Sequence, residues 1–368
     1  MPSLYTALCN LYNVFMFKGT SLEIPYLKFK RNKLGIASLA ILFVLYTGLL
    51  LEGFIAPYSP SLMFKTKPFH PPHRINFFHE GRFIGPFVYE YVQVNPIFKE
   101  YRTDTEAINR IRLFAEGPPY RLFFLIPATT HFFGTDTGSP VFLLGTDSLG
   151  RDIFTRIVYG AKISLTIGFV SIFLALTGGI LIGGLAGYAG GFADWLAMRG
   201  VEIVLLLPTF YFFLFLRSVM PTDISPARKF FYITAILAVP SGVAAARSIR
   251  NWVLSLKNAN YVTSAVLSGV PRLVILLRHI IPQIRNILIL SITLSVPGAI
   301  LGEAGLSFLN LGITEPSVSW GMLMSSAMNI NILLNYPWML IPAIVIVVTV
   351  FSFFAFGYAL KDALDPKA

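Results

Sequence analysis

Long apolar segments alternate with shorter polar ones along the 368-residue chain. Six of these segments approach or exceed the roughly 20 residues that a helix needs to cross the hydrocarbon layer of a membrane. Pro208 lies inside the third segment and is expected to kink it. The pattern therefore predicts an all-α integral membrane protein with six transmembrane helices, at 34–56, 162–188, 195–219, 229–250, 284–310 and 337–360.

Basic residues set the expected orientation of these spans. Residues 1–33 end in a basic cluster at 28–33, which places this N-terminal segment in the cytoplasm by the positive-inside rule. Six spans return the C-terminus to the same side. The loop 251–283 then also lies in the cytoplasm, in agreement with the six Lys/Arg residues and the absence of Asp and Glu between positions 247 and 285.

Composition supports the membrane assignment and narrows the class of protein. Hydrophobic residues make up 55% of the chain and charged residues only 13%, against about 25% charged residues in soluble domains. The net charge of +11 fits basic loops that face anionic lipid. Nucleic-acid binding is not expected, because the basic residues are scattered among apolar runs. Cys9 is the single cysteine, so the chain cannot form an internal disulfide.

The segment 57–144 has no apolar run long enough to cross a membrane, and it contains most of the histidines. The orientation makes it an extracytoplasmic insertion between the first and second spans. Its aromatic and β-branched residues around 83–94 predict short strands in a small ordered lobe. Histidines without regular spacing in Pro-rich loops are more typical of exposed residues than of a metal site. These histidines are His70, His73, His79 and His131.

Glycines recur every four residues near the end of the second span, at Gly179, Gly183 and Gly187. This spacing places them along one face of a helix, where the backbone of a neighbouring helix can approach closely. Close helix packing is the favoured interpretation, and incidental glycines on a lipid-facing helix are the alternative. Gly191 continues the register, but the last of these residues are expected to form a turn.

The basic stretch between the fourth and fifth spans is too polar to cross a membrane and too periodic for a plain loop. It predicts a short helix over 259–268, a turn at 269–271, and a second helical piece that ends at Pro282. A structured element of this kind on one membrane face is typical of a docking site. Four apolar residues are expected to seat the element against the spans, namely Val270, Leu273, Val274 and Leu277.

The chain carries none of the common catalytic or nucleotide-binding motifs. It has no GxxxxGK[ST] loop, no HExxH and no GxSxG, so the protein is not expected to be an enzyme, to hydrolyse nucleotide itself or to bind a cofactor. Glu202 and Glu303 lie near the ends of their spans, where they are expected to snorkel, to cap a helix or to pair with an arginine. A proton-coupling carboxylate would lie deeper in the membrane.

The basic stretch resembles the EAA loop of permeases from binding-protein-dependent ABC importers. The family's last alanine, a glycine four residues later and a more distant proline match Ala265, Gly269 and Pro282. The resemblance implies that the short helix is a coupling helix, which inserts into a groove of an ATPase subunit. Thr263 replaces the motif's glutamate, so the contact is expected to depend less on charge. The residues implied in coupling are Tyr261, Val262, Thr263, Ser264, Ala265, Ser268, Gly269 and Pro282.

Other segments resemble signatures of the dipeptide/oligopeptide branch of this family. They are GTDSLGRDIFTRIVYGAKISL (145–165) and GEAGLSFLNLGITEPSVSWGML (302–323). The short motifs APYSP (56–60) and LKDALDP (360–366) resemble those of its C-type subunit. The resemblance implies the type I ABC importer permease fold, with residues 145–368 as the permease core.

The resemblance also implies a set of partners. A homologous B-type permease subunit would enclose the translocation path together with this chain, two ATPase subunits would each hold one coupling helix, and an extracytoplasmic binding protein would deliver a peptide. The expected location is the cell membrane, with both termini in the cytoplasm. An ATP-independent secondary transporter or channel and a membrane-embedded scaffold subunit are the alternatives.

Substitutions in the coupling loop separate these alternatives. We expect Ala265→Glu or Gly269→Pro to abolish ATP-driven uptake while membrane insertion is retained, and deletion of 259–269 to do the same. Uptake into proteoliposomes with and without the ATPase subunits is the measurement. Substrate movement by the purified protein alone, without ATP, would contradict the importer assignment.

Overall fold

The computed structural model describes residues 23–96, 99–123, 125–221 and 224–364. These residues form a helical bundle and a lobe with a four-stranded sheet. Most of the predicted N-terminal segment 1–33, including Cys9, and the end of the motif at 360–366 lie outside the described residues. The helices are α1 (Glu23–Arg31), α2 (Lys33–Leu50), α3 (Glu52–Ile55), α4 (Ile153–Gly179), α5 (Leu185–Ala189), α6 (Gly191–Leu206), α7 (Thr209–Val219), α8 (Pro226–Leu256), α9 (Asn260–Leu267), α10 (Arg272–Val274), α11 (Arg285–Phe308), α12 (Trp320–Ser325), α13 (Ile330–Asn335) and α14 (Ile341–Leu364).

Short irregular helical segments connect several of these helices without a break. A π-helical segment joins α4 to α5, and a π-helical and a 3₁₀ segment join α10 to α11. Two further 3₁₀ turns flank α13. These segments are the π-helices Ile180–Gly184 and Ile275–Ile280 and the 3₁₀ helices Ile281–Ile284, Ser326–Met328 and Pro337–Leu340.

Among the described residues, five helical segments are long and apolar enough to cross a membrane, and a bent pair of helices brings the number to six if the pair counts as one span. The bent pair is α6 and α7, which meet at an angle of 99° next to Pro208. The predicted third span, 195–219, is therefore two helices rather than one kinked helix. The five continuous segments are Lys33–Leu50, Ile153–Ala189, Pro226–Leu256, Arg272–Phe308 and Pro337–Leu364.

The helix of the second predicted span begins at Ile153, nine residues before the predicted start at position 162. Asp152 caps it, because its side chain accepts a hydrogen bond from the backbone N–H of Thr155 at 2.8 Å. Polarity misled the sequence prediction here, because Arg156 belongs to the helix and is buried rather than in a loop. Part of the polar segment before the span is thus the first turn of α4.

The bundle core lies between α2, α4, α11, α12 and α14. Water is absent from the interior of a membrane, so close packing rather than the hydrophobic effect stabilises helix contacts there. Small residues allow that closeness, and Gly168 contacts Ile300 across the interface of α4 and α11. The largest cluster of buried apolar side chains includes Leu165, Ile172, Val296, Ile300, Trp320, Ile346 and Phe353.

The lobe is an antiparallel meander with strand order β1-β2-β3-β4. Its strands are β1 (Asn76–His79), β2 (Arg82–Asn95), β3 (Glu100–Leu122) and β4 (Ile126–Thr135). The first half of β3 pairs with β2 and the second half with β4. The strand predicted around 83–94 is present as β2, but at 14 residues it is not short. β3 is longer still, at 23 residues, because it pairs with two strands.

Two loops attach the lobe to the start of α4. The Thr146 hydroxyl donates to the carbonyl of Lys67 at 2.6 Å and accepts from the N–H of His70 at 2.8 Å. Gly150 has φ +73°, and a Cβ there would collide with the carbonyl group of Phe64, so glycine is required at this close approach. We call this end of the bundle the lobe end, and the opposite end, with α5 and α9, the far end.

The histidines of the lobe are buried, so the expectation of exposed loop residues is wrong for His70, His73 and His131. The His73 ring accepts a hydrogen bond from the N–H of Phe142 at 3.0 Å. The His131 ring makes hydrogen-bond contacts with the carbonyl oxygens of Ala56 and Pro118, at 2.7 and 2.9 Å. The three buried histidines pack against aromatic rings. The rings of His73 and His131 also make hydrogen bonds with the backbone of the loops.

Burial lowers the pKa of His70 to about 3 and that of His73 to about 4, from 6.5 in water. The unfolded chain therefore takes up protons before the folded lobe does, and stability falls as the pH falls below about 6.5. Each histidine contributes a loss of about 1.4 kcal/mol per pH unit until its folded-state pKa is reached. We expect the unfolding midpoint of the full-length protein to fall between about pH 7 and about pH 5.

Replacement of His70 by phenylalanine tests this prediction. The His70 Nε2 atom is buried without a hydrogen-bond partner, so His70→Phe removes a titrating group and an unpaired polar atom from an aromatic cluster. We expect the fall of the midpoint on acidification to be smaller in the variant than in the parent protein, because one of the two histidines no longer titrates. An unchanged shift in thermal unfolding would contradict the assignment.

Candidate functional site

The far end carries the short helix predicted from the sequence. It runs from Asn260 to Leu267, and the chain then turns through Gly269, which has φ +75°. The Gly269 N–H donates to the carbonyl of Val266 at 3.0 Å, and the Val270 N–H donates to that of Ala265 at 3.1 Å. This pair of bonds is the Schellman motif, which needs a left-handed residue and therefore favours glycine.

One face of α9 is buried and fixes the helix to the bundle. Val262 and Ala265, three residues apart on that face, pack against side chains from α8 and from the segment after α10. We call this cluster the far-end core. Its buried members are Ile249, Val253, Val262, Ala265, Ile275, Leu276, Ile280 and Ile284.

The prediction that Val270, Leu273, Val274 and Leu277 seat this element against the spans is wrong for the two leucines. Leu273 and Leu277 are 51% and 46% exposed, and the buried side chains are their neighbours Ile275 and Leu276. The π-helical segment 275–280 changes the register of the helix, so spacing counted for a regular α-helix selects the wrong positions.

Pro282 does not end the second helical piece. It lies in the 3₁₀ segment 281–284, through which the helix continues into α11. Proline lacks the N–H that a regular helix would use, and the tighter turn accommodates this loss. The second helical piece is therefore continuous with the next long helix, with no loop between them.

The rest of the α9 surface is exposed and includes both apolar and polar side chains. Leu267 is 83% exposed and lies opposite the buried face, with Thr263 and Ser264, whereas Tyr261 and Val266 are exposed on the two flanks of the helix. The Thr263 and Ser264 hydroxyls each donate to the carbonyl four residues earlier in the chain, at 3.3 and 2.9 Å. Three large apolar side chains exposed on one eight-residue helix favour a partner at this surface, and the helix has no acidic residue.

The three glycines of the second span lie against α8. A Cβ on Gly179 would be 2.9 Å from the Ala245 Cβ, and one on Gly187 would be 3.0 Å from the Arg250 carbonyl oxygen. A Cβ on Gly183 would collide with the carbonyl group of Ala246. These glycines therefore bring the backbones of α4, the π-helical segment and α5 close to the half of α8 that contributes to the far-end core.

An ion pair joins α6 to the same part of α8. The Arg250 guanidinium donates to both carboxylate oxygens of Asp194, at 2.9 and 2.5 Å. Glu202 pairs with Arg199 at 2.8 Å near the surface of α6, as expected for this glutamate. Gly190 and Gly191, both with positive φ, make the turn before α6.

Glu303 is fully buried, so the expectation that it snorkels, caps or pairs with an arginine is wrong. Its carboxylate accepts hydrogen bonds from the hydroxyls of Ser307 and Ser164, at 2.6 and 3.1 Å. Ser164 in turn accepts from the backbone N–H of Trp320 at 3.0 Å. Glu303 therefore joins α4, α11 and the start of α12 near the lobe end.

The sequence analysis missed an ionic network at the lobe end. Arg156 is 1% exposed, and its guanidinium contacts Asp147 at 3.0 Å and Glu315 at 2.7 Å. Arg151 contacts the same two carboxylates, at 2.7 and 2.8 Å. The two motifs at 145–165 and 302–323 meet here beside a cavity of about 290 Å³. The two arginines of the first motif and the glutamate at position 315 of the second were the available signal.

Burial by itself raises the pKa of Glu315, but the hydrogen bonds and charges of Arg156 and Arg151 outweigh this and lower the pKa below its ordinary value. The carboxylate therefore stays ionised and paired at neutral pH. At the lobe end the network links the start of α4 and the loop before it to the loop after α11.

The fold and this site define the class of protein: a multi-pass helical membrane protein with a short helix exposed at one end. Comparison with known proteins gives the family. Residues 179–368 match the family described as binding-protein-dependent transport system inner membrane component, and residues 26–72 match the N-terminal TM domain of oligopeptide transport permease C. The chain belongs to this family of permeases, as its motifs predicted.

Several relatives support the assignment. The oligopeptide transport system permease protein OppC of Haemophilus influenzae is 41% identical over 61% of this chain and 70% of its own length. The dipeptide permease DppC of Bacillus subtilis is 36% identical over 66% and 71%, and the OppC protein of the same bacterium is 38% identical over 61% and 71%. Among solved structures, inward-facing MetNI, a methionine ABC transporter, matches with a TM-score of only 0.34 at 14% identity, over 53% of this chain and 96% of that chain, a likeness too weak to carry an argument.

The glycine contacts predict contrasting effects of two alanine substitutions. We expect Gly183→Ala to destabilise the protein by about 1–3 kcal/mol or more, because its Cβ would overpack against the backbone of α8. Gly178→Ala is the matched control, since nothing lies within 4 Å of the position that its Cβ would take. Yield of folded protein and the unfolding midpoint are the measurements. Equal loss in both variants would contradict the packing argument.

Proposed function

We propose that this chain is a transmembrane permease subunit of an ATP-driven importer that moves peptides across the cell membrane. In this proposal a homologous B-type permease encloses the translocation path with it. Two ATPase subunits supply the energy, because the chain has no nucleotide-binding motif of its own. An extracytoplasmic binding protein delivers the substrate. Family membership and the peptide permeases among the relatives support this assignment.

The mechanistic part of the proposal rests on the exposed surface of α9. A coupling helix must offer a surface to the ATPase and must itself be anchored. Leu267 and its neighbours supply the surface, and the burial of Val262 and Ala265 supplies the anchor. The proposed coupling residues thus divide into contact residues (Tyr261, Thr263, Ser264 and Ser268, with Val266 and Leu267), anchors (Val262 and Ala265) and backbone-shaping residues (Gly269 and Pro282).

The far-end core would convey movement of α9 to the spanning helices. The far-end core contains side chains from α8 and from the helical segment that runs on into α11. Ile180 of the π-helical segment before α5 and Tyr188 of α5 pack against this core. Close-packed contacts resist compression, so displacement of α9 by an ATPase moves its neighbours with it. Switching between inward-open and outward-open states of the path would follow from this movement.

The proposal also assigns the sides of the membrane. The far end, with α9 and both termini, would face the cytoplasm, where ATP is available, and the lobe at 57–144 would face outward. The basic residues of the segment 247–285 favour this orientation. An ATP-independent transporter or channel does not need a helix that docks an ATPase, so the exposed α9 favours the importer.

The contacts of α9 change the interpretation of one substitution in the coupling loop. Ala265 is buried in the far-end core, so Ala265→Glu would insert a charge into packed side chains and disturb the fold as well as coupling. A substitution on the exposed face is a cleaner test of docking.

We expect Leu267→Asp to abolish or strongly weaken association with the ATPase subunits, because it places a charge at the position of the most exposed apolar side chain of α9. Leu62→Asp is the matched control. Leu62 is an exposed leucine in the loop before β1, at the lobe end of the molecule. Co-purification of the ATPases with each variant from detergent-solubilised membranes is the measurement, and both variants should insert normally.

Two results would decide against the proposal. Full ATPase recovery and full ATP-driven peptide uptake with Leu267→Asp would show that α9 is not the docking helix. Loss of ATPase recovery with Leu62→Asp alone would place the docking surface at the lobe end instead.

A further inference from the structure

A cavity of about 280 Å³ opens between α4, α8 and α11, in the half of the bundle nearer the far end. Apolar side chains form much of its wall, including Ile172, Leu176 and the half-exposed ring of Trp252. No charged residue of the described part of the chain lines it. The polar groups in the wall are the hydroxyls of Ser241, Ser248, Ser291 and Ser295.

Three of these hydroxyls differ from most others in the spanning helices. Ser171, Thr293 and Ser352 donate to a carbonyl of their own helix at 2.7 to 2.9 Å, which satisfies the hydroxyl within the helix. Ser248 does so too, at 3.1 Å. The hydroxyls of the remaining three serines make no hydrogen bond within the described part of the chain. These are Ser241, Ser291 and Ser295.

Unpaired hydroxyls in the membrane interior need a polar partner. Lipid tails offer none, and an unsatisfied polar group in hydrocarbon is costly. The three hydroxyls converge on one cavity from two helices, Ser241 from α8 and the other two from α11. The cavity is therefore suited to water and to a solute that both donates and accepts hydrogen bonds.

We propose that this serine-lined cavity is a passage site for the main chain of a peptide during translocation. The inference rests on the proposed function and names the chemistry of its path. Peptide amides offer one donor and one acceptor per residue, which hydroxyls can match in either role. The absence of charge in the wall favours weak contacts that do not depend on the peptide's side-chain charges.

The cavity shares its wall with the far-end core. Ile249 belongs to both, and Ala245 and Leu288 line the cavity and also pack against that core. Gly179 lies against Ala245 on the other side. Movement of α9 would therefore displace one wall of the cavity, so ATP-driven cycling changes the space in which the peptide is held.

Cysteine accessibility in the assembled importer tests the site. Cys9 is the single cysteine, so Cys9→Ser gives a cysteine-free chain, and Ser291→Cys or Ser295→Cys is then introduced. A small charged methanethiosulfonate reagent reacts only with thiols that water reaches. Trialanine, supplied with the binding protein and ATP, is the substrate probe. Ser352→Cys is the control, because Ser352 is buried in α14 and bonded to its own helix.

We expect both cavity cysteines to react, the control to remain unlabelled, and trialanine turnover to slow the cavity reactions several-fold. In the second arm, Ser241→Ala, Ser291→Ala and Ser295→Ala should each raise the KM for trialanine uptake by about threefold, the loss of one hydrogen bond in a membrane protein. The same change at Ser352 should leave the KM unchanged.

The outcomes separate this inference from the proposed function. If the parent importer takes up trialanine but the cavity cysteines are unreactive, the cavity is covered by a partner subunit or lipid. If they react and trialanine turnover does not slow the reaction, water enters the cavity but the peptide does not. Either result overturns the inference alone. If the serine-to-alanine variants keep the parental KM, the hydroxyls do not contact the peptide. If the parent importer takes up no trialanine, the peptide assignment fails, and the inference fails with it.

Discussion

Eight buried apolar side chains, two of them from α9 itself, hold the far end of the molecule together. Without this core a helix of eight residues would not be stable, because isolated helices of that length are marginal in water. The core also fixes what the rest of the far end must be. Gly269 must turn the chain, the helix after it must change register to bring Ile275 and Leu276 inward, and glycines must let α5 approach α8.

The two ends of the bundle are stabilised by different interactions. At the lobe end, two arginines and two carboxylates join loops that are about 160 residues apart in sequence, Arg156 to Glu315 being one such contact. At the far end, packing of apolar side chains predominates, and the Asp194–Arg250 pair is its main ionic contact among the described residues. With this difference, ion pairs can hold the loops of the lobe end in place while the apolar contacts of the far end shift.

Local signals explain what could be predicted from the sequence. The bounds of α9 follow from residues within it and from the glycine after it, so the predicted helix at 259–268 differs from the observed one by a single residue at each end. The apolar runs located most spans for the same reason. A bend at Pro208 follows from the proline itself, but its size does not, because the angle depends on packing with other helices.

Contacts between distant parts of the chain explain the errors. Glu303 is satisfied by Ser164, and His73 by the backbone of Phe142, and neither partner can be identified from spacing. A change of helix register caused another error. In the π-helical segment at 275–280, Leu277 is exposed and its neighbours Ile275 and Leu276 are buried, the reverse of the prediction. The ionic network required pairing of two motifs that the sequence showed only separately.

The central claim is that α9 and its half of α8 move as one unit when the ATPases bind ATP. Spin labels on Asn260 and Arg247, in a Cys9→Ser background, measure the separation within that unit, and labels on Asn260 and the exposed Asp362 of α14 measure its position relative to the bundle. In the assembled importer, pulsed electron spin resonance should give an unchanged first distance and a changed second distance when ATP is added. A changed first distance with a constant second distance would contradict the account.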